Sequence, residues 1–287
     1  MNDRIMSFIS HMSVVTNNES PLWHFSSTYL TDQKLPFPRE FLSRAITSHL
    51  QTHGSSVVIG SPEEADKINM MINTLLLLLP TKERALCSHV RNDNQYVTDL
   101  LIQGLTCDFD KTSAMHSLRP TTVIDLTQRS VVQLSVRQHV KAREMFKKYE
   151  IDLVEQPKPL PDLLKEESLY KAVKEPSPFV TALLQELLHI PETFRVSYVQ
   201  NFRNQLEKKA LVLIRCVASV ADERRRSNIP AAVLKRIRVD VLRTSSDADF
   251  ALLLAVAERI SPGVGVSIFG VAQDDLEKRF NDLWGIN

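Results

Sequence analysis

Three prolines within five residues, Pro157, Pro159 and Pro161, remove three amide donors from one short stretch, so no regular helix or interior strand can pass through it. The hydrophobic pattern changes on crossing it. Upstream, short apolar runs of the length of buried strands alternate with helical periodicity. Downstream, the periodicity is helical alone. The reading is an α/β lobe over residues 38–150, an exposed linker over 151–161 and an all-α helical lobe over 162–287.

Residues 1–37 are polar, unpatterned and end in Leu35-Pro36-Phe37-Pro38, which reads as an unstructured or extended lead-in. From Pro38 the signals sharpen. Phe41, Leu42, Ala45, Ile46 and Leu50 recur at helical spacing, and Gly54 supplies a stop. Val57 to Ile59 then form a strand candidate, and Ser61, Pro62 and Glu64 give the next helix a cap, a first-turn proline and a capping-box acid. That helix runs through the leucines 75–79 until Pro80. Further strand candidates are Leu100 to Ile102, Val123 to Leu126 and Val131 to Leu134, followed by a basic helix over 138–150.

Beyond the prolines, Ser177-Pro178 and Pro191 each open a helix. In the second, Val199, Phe202, Leu206, Ala210, Leu213, Val217 and Val220 step by 3, 4, 4, 3, 4 and 3, a single apolar stripe that suits the core face of a bundle. Asp247 to Ile260 is a further amphipathic helix ended by Pro262-Gly263, and Asp274 to Trp284 reads as the last.

Composition excludes several functions. The 287 residues hold 35 Lys plus Arg against 34 Asp plus Glu, a net charge of +1, so no global field draws in nucleic acid. Only seven residues are glycine, about a third of the average share of roughly 7%, which argues against phosphate-cradling nucleotide loops. Cys87, Cys107 and Cys216 are odd in number and widely spaced, reading as three buried thiols in a reducing compartment, with no zinc site or disulfide framework. No apolar run approaches the roughly 20 residues of a bilayer span, and residues 1–10 lack the apolar core of a signal peptide. The expected location is cytoplasmic.

The search for chemistry returns little. His49 and His53 have metalloprotease spacing, but Leu50 stands where the general-base Glu belongs, so they read as a pair of helix-surface histidines. Gly263, Gly265 and Gly270 miss the dinucleotide fingerprint in spacing and context. Asp108-Phe109-Asp110-Lys111-Thr112 spells the D-x-D-x-T of haloacid-dehalogenase-type phosphatases, in which the first carboxylate attacks phosphorus and the second serves as acid and base. The strand candidate ends too early, however, and Ser113 stands where an apolar residue is wanted; a polar Asp-rich loop is the simpler reading. No catalytic, cofactor-binding or metal-binding residue is assigned.

The one electrostatic anomaly lies between Arg203 and Arg243, where eleven basic residues face four acidic ones, a local charge of +7. Arg224, Arg225 and Arg226 fall in the polar break before Ile229-Pro230, which marks them as exposed candidates for contact with an acidic partner or an anionic membrane surface. No interleaved aromatics accompany them, which disfavours nucleic acid.

Five segments, taken in order, carry a resemblance: FLSRAITSHLQTHGSSVVIGS at 41–61, LLIQGL at 100–105, RPTTVIDL at 119–126, KALVLIRCV at 209–217 and FALLLAVAERISPGVGVSIFG at 250–270. They are similar to the chromosome nine open reading frame branch of the DENN family, the branch linked to amyotrophic lateral sclerosis and frontotemporal dementia. The resemblance implies a DENN-like module with an α/β lobe followed by a helical lobe. It also implies a regulator of Rab or Arf small GTPases, by nucleotide exchange or as a subunit of a GTPase-activating complex. Such a regulator would act in autophagy and endolysosomal traffic on endosomes, lysosomes or autophagosomes, and would pair with a second longin-DENN protein. The longin domain with which such proteins usually begin has no counterpart among these segments, which leaves a scaffold without GTPase contact as the alternative. An exchange factor works by differential binding and has no chemical active site of its own. In a GTPase-activating complex the arginine finger is assigned to a partner subunit.

Overall fold

A computed structural model of the chain describes residues 25–31, 35–92, 94–98, 100–155, 159–224, 229–244 and 246–269. Helix α1 spans Arg39–Gln51 and leads into strand β1, Ser56–Ile59. The turn between them rests on Gly54, whose φ of +83° suits glycine and whose amide donates to the His49 carbonyl at 2.9 Å. Helix α2, Ala65–Leu76, follows a 3-10 turn in which the Ser61 amide donates to Glu64 Oε2 at 3.3 Å. The helix tightens at its end, where Leu78 and Leu79 donate to the carbonyls of Leu75 and Leu76.

Strands β2 (Cys87–Ser88), β3 (Ile102–Leu105), β4 (Thr122–Asp125) and β5 (Ser130–Gln133) come next, and β6 (Lys171–Ala172) completes a sheet of order β2-β3-β1-β4-β5-β6. The first four positions in that order are parallel; β5 and β6 add on antiparallel. The sheet thus draws its last strand from beyond the proline cluster, a departure from an all-helical reading of 162–287.

Strand alternation sorts the core into two faces. Val58, Ile102, Ile124 and Val131 pack toward α1 and α2, whereas Val57, Ile59, Leu105 and Val123 pack with Ala142 of helix α3, Val136–Glu155. Both faces are covered, which is why these strands read as short unbroken apolar runs. Gly104 lies directly under α2: a Cβ there would stand 2.7 Å from Ile68 and 2.8 Å from Ile72. Helix α3 continues five residues past the sequence-based end at 150, because nothing breaks it until the approach to Pro157.

After a single turn, α4 (Glu166–Leu169), and β6, the chain is helical: α5 (Pro178–Glu186), α6 (Glu192–Arg224), α7 (Ala231–Arg236), α8 (Asp247–Ile260) and α9 (Val264–Phe269). The 33-residue α6 is about 50 Å long at the usual rise. Its predicted stripe is its inward face: Val199, Leu206, Ala210, Leu213 and Val217 are buried against α8 and α9. A π turn over Ile237–Val241 extends α7.

One hydrophobic cluster runs from α1 and α2 into α5, α6, α8 and α9, so the helical layer and the sheet's first face share a core. The end of the lead-in belongs to it as well. Tyr29, Leu30 and Phe37 are buried, Tyr29 and Phe37 meet edge to face at 4.7 Å, and Phe37 meets Phe41 at 5.0 Å. The Tyr29 amide donates to Thr74 Oγ1 at 2.9 Å, which fixes this segment on α2. Of the three cysteines, Cys87 and Cys216 are half-buried and Cys107 is exposed on the loop after β3, against the expectation that all were buried. Burial raises the Cys87 thiol to about 12.

Candidate partner-binding surface

The basic segment divides by what each cation touches. Arg203 donates to the Leu79 carbonyl at 2.9 Å and faces Glu207 across 3.8 Å. Lys209 donates to the Leu242 carbonyl at 2.8 Å with its ammonium 5.3 Å from the centre of the Phe179 ring. Arg238 pairs with Asp247 at 2.8 Å and lies 4.8 Å from the centre of the Phe250 ring. Arg203 thus ties α6 to the end of α2, while Lys209 and Arg238 join elements of the helical layer. Lys208, Arg215, Lys235, Arg236 and Arg243 instead project into solvent, and none of the five forms an ion pair among the described residues.

The exposed cations stand beside exposed aliphatics. On the outer face of α6, Lys208, Leu211, Val212 and Arg215 follow one another at i, i+3, i+4 and i+7. On the π turn, Ile237 and Leu242 are buried while Val239 and Val241 are about half exposed. The wider turn, closed by Leu242 donating to Ile237 at 2.9 Å, produces that outward presentation. The Lys209 bond to Leu242 ties the end of the turn to the middle of α6. A surface of aliphatics among unpaired cations suits a partner that is both acidic and apolar in part.

Between α5 and α6 lies a groove of about 170 Å³ lined by Phe179, Leu183, Tyr198, Phe202 and Leu206, with Glu186 and Lys209 also on its walls. Arg224 is the last residue of α6; its side chain, and Arg225 and Arg226 entirely, fall outside the described residues.

The other motifs resolve into structure. Asp108 is exposed, three residues beyond the end of β3, and accepts from the Phe109 amide at 3.0 Å. Asp110 caps a 3-10 turn, accepting from the Thr112 amide at 2.9 Å and its hydroxyl at 2.7 Å. Neither sits at a strand terminus, and Asp274-Asp275 lies outside the described residues. Among the described residues no three His, Cys, Asp or Glu side chains gather to hold a metal ion, and no helix is long and apolar enough to cross a membrane.

The histidines correct the sequence reading. His49 is fully buried, because α1 packs against β4, β5, α5 and α8 and so has little free surface; its Nδ1 bonds Ser56 Oγ at 2.9 Å. Burial, with Arg259 nearby, lowers it to about 3. His53 has left the helix for a turn at φ +59°, where burial and the charges of Arg119 and Arg259 lower it to about 4.

The comparisons with known proteins follow the same ground. Residues 1–139 match the C9orf72-like protein family. Over 254 residues, 80% of this chain, the sequence is 28% identical to the guanine nucleotide exchange factor C9orf72 of Homo sapiens and to the proteins named guanine nucleotide exchange factor C9orf72 homolog in Mus musculus and Rattus norvegicus. The resemblance carried by the five sequence segments is thus a C9orf72-like one. The chain spans about half the length of these curated relatives, 51% of each.

Proposed function

We propose that this chain is a DENN-type regulator of small GTPases that promotes guanine nucleotide exchange. The observation that carries the reading is the similarity over 80% of the chain to relatives named guanine nucleotide exchange factors. The mixed sheet followed by a helical layer supports a DENN-like module. The mechanism needs no acid or base: a surface that binds the nucleotide-free GTPase more tightly than the loaded one accelerates release by that difference alone. The basic and aliphatic face of α6 and the π turn is the best-equipped part of the described surface for such contact.

At finer grain, the proposal is a Rab- or Arf-type partner, assembly with a second longin-DENN protein, and action on endolysosomal and autophagic membranes, with basic residues of the 203–243 segment near the anionic surface. The test is release of a fluorescent guanine nucleotide from purified Rab- and Arf-type GTPases, with the chain alone and with material co-purified from its source cell. Faster release with at least one GTPase is expected. Unchanged release from all of them, with a DENN partner still co-purifying, would overturn exchange in favour of the scaffold reading. Magnesium-dependent hydrolysis of a generic phosphomonoester, lost in Asp108→Asn, would establish the phosphatase reading instead.

A further inference from the structure

The π turn that extends α7 is held in a strained and closely bonded form. Arg243, just after it, has φ at +54°, a left-handed conformation uncommon outside glycine. Such strain persists only where surrounding bonds impose it. Here Leu242 donates its amide to the Ile237 carbonyl at 2.9 Å. Thr244 donates its amide at 2.9 Å and its hydroxyl at 3.1 Å to the Arg238 carbonyl, and Lys209 of α6 donates to the Leu242 carbonyl at 2.8 Å.

That rigid frame displays apolar side chains. Ile237 and Leu242 anchor the turn in the core, whereas Val239 is 53% and Val241 49% exposed. Cations flank the two valines. Lys235, Arg236 and Arg243 are exposed and form no ion pair among the described residues, while Arg238 is held by Asp247 at 2.8 Å. Three such cations against Asp240, the exposed carboxylate of the turn, leave a net charge of +2.

Aliphatic tips among cations fit a lipid surface better than a protein pocket. Protein contacts concentrate their binding energy in Trp, Tyr and Arg and seldom in Val, and no aromatic residue stands in 235–243. At an anionic bilayer the two kinds of side chain cooperate: apolar tips enter the acyl boundary, while Lys and Arg lay their stems along it and hold their charged heads among the phosphates. Backbone bonds already made within the turn lower the cost of carrying it into so poorly hydrated a layer.

We propose that the π turn is a membrane-docking element that inserts Val239 and Val241 into an anionic bilayer surface, with Lys235, Arg236 and Arg243 against the lipid headgroups. Resting on the membrane-facing reading of the 203–243 segment, this contact narrows it to the residues that enter lipid. The outer face of α6, with Leu211 and Val212, is left to the GTPase, on whose approach the same cations act only at a distance.

The test is sedimentation of the full chain, without any GTPase, with vesicles of phosphatidylcholine alone or of phosphatidylcholine mixed with phosphatidylserine. Binding to the mixed vesicles and not to the neutral ones is expected. Val239→Gln with Val241→Gln keeps every charge and should weaken that binding about tenfold or more. Lys235→Gln, Arg236→Gln and Arg243→Gln should each weaken it about fivefold. All five side chains are exposed, so melting temperatures should stay near that of wild type. Wild-type protein that ignores the mixed vesicles would overturn the proposal, and so would a valine double variant that binds them as well as wild type. Mixed vesicles bound no more tightly than soluble polyglutamate would also overturn it, assigning the turn to an acidic protein. Nucleotide release measured in solution without vesicles reports on exchange alone, so the failure of either reading is told apart from that of the other.

Discussion

Asp249, the third residue of α8, accepts hydrogen bonds from Ser177 Oγ and, at 3.1 Å, from the amide of Phe179, so a carboxylate on one helix caps the start of another. Ser177 in turn donates its amide to Thr47 Oγ1 at 2.9 Å, and Ser43 meets Thr181 at 3.0 Å, which joins α1, α5 and α8 at one buried polar point. The carboxylate is stabilised there by the free amides and positive end of α5.

Removing that acceptor should be costly. Asp249→Ala is expected to lose about 2–3 kcal/mol in urea denaturation, because it strands a buried hydroxyl and an amide. Ser177→Ala should lose only about 1 kcal/mol. The double mutant should lose less than the sum; simple additivity would show that the two residues do not interact.

Two glycines should respond to alanine for different reasons. Gly104→Ala drives a methyl into Ile68 and Ile72 and should destabilise by about 1–3 kcal/mol. Gly263→Ala meets no atom within 4 Å but must hold φ at +96°, a backbone cost of about 1–2 kcal/mol. Repacking by Ile72→Val, which removes the Cδ1 that the new methyl would meet, should rescue part of the first loss and none of the second, read as urea midpoints.

The buried histidines set an acid limit. His49 is lowered to about 3 and His139 to about 4, chiefly by burial, so the unfolded chain takes up their protons first, near pH 6.5. Their contribution is therefore whole above pH 6.5 and falls as pH drops toward 4, by about 1.4 kcal/mol per pH unit for each. His49→Gln should flatten this decline in unfolding free energies measured from pH 7 to 4. An unchanged slope would mean that His49 titrates normally in the folded protein.

Charge reversal on the outer surface should separate binding from folding. Lys235→Glu, Arg236→Glu and Arg243→Glu together should change stability by only about 0.5 kcal/mol each at most while weakening capture of an acidic partner, most strongly at low salt. The same outcome is expected for Arg224, Arg225 and Arg226 replaced by Glu. Equal partner recovery by wild type and both triple mutants at low ionic strength would mark this face as a solvated one.

The Asp-rich loop gives a local prediction. Asp110→Ala removes the acceptor that caps the turn at Thr112 and should lower stability by about 1 kcal/mol in thermal melts. Asp108→Asn should leave stability nearly unchanged, since its side chain is largely in solvent.

What the sequence determined by itself was local. Pro80, Pro178 and Pro191, the cap at Ser61 and the stripe from Val199 to Val220 place their helices within a residue or a few, since propensity, capping and periodicity act over a turn or two. Strand β3 shows the limit of that legibility: the run Leu100 to Ile102 pointed to it, yet the paired residues are Ile102–Leu105, because register with β1 decides which amides join the ladder. Only the tertiary structure decided the rest. It buried His49, which helical spacing alone left on a surface, and seated Tyr29 and Phe37 in the core although their segment has no pattern. It gave Arg203, Lys209 and Arg238 structural tasks and left their neighbours exposed. Arg119 and Arg259, which both face Glu83, are distant in sequence, and no spacing rule relates them. Packing α6 and α8 against the edge of the sheet brings them together, and a juxtaposition set by long-range burial leaves no signal in any local window.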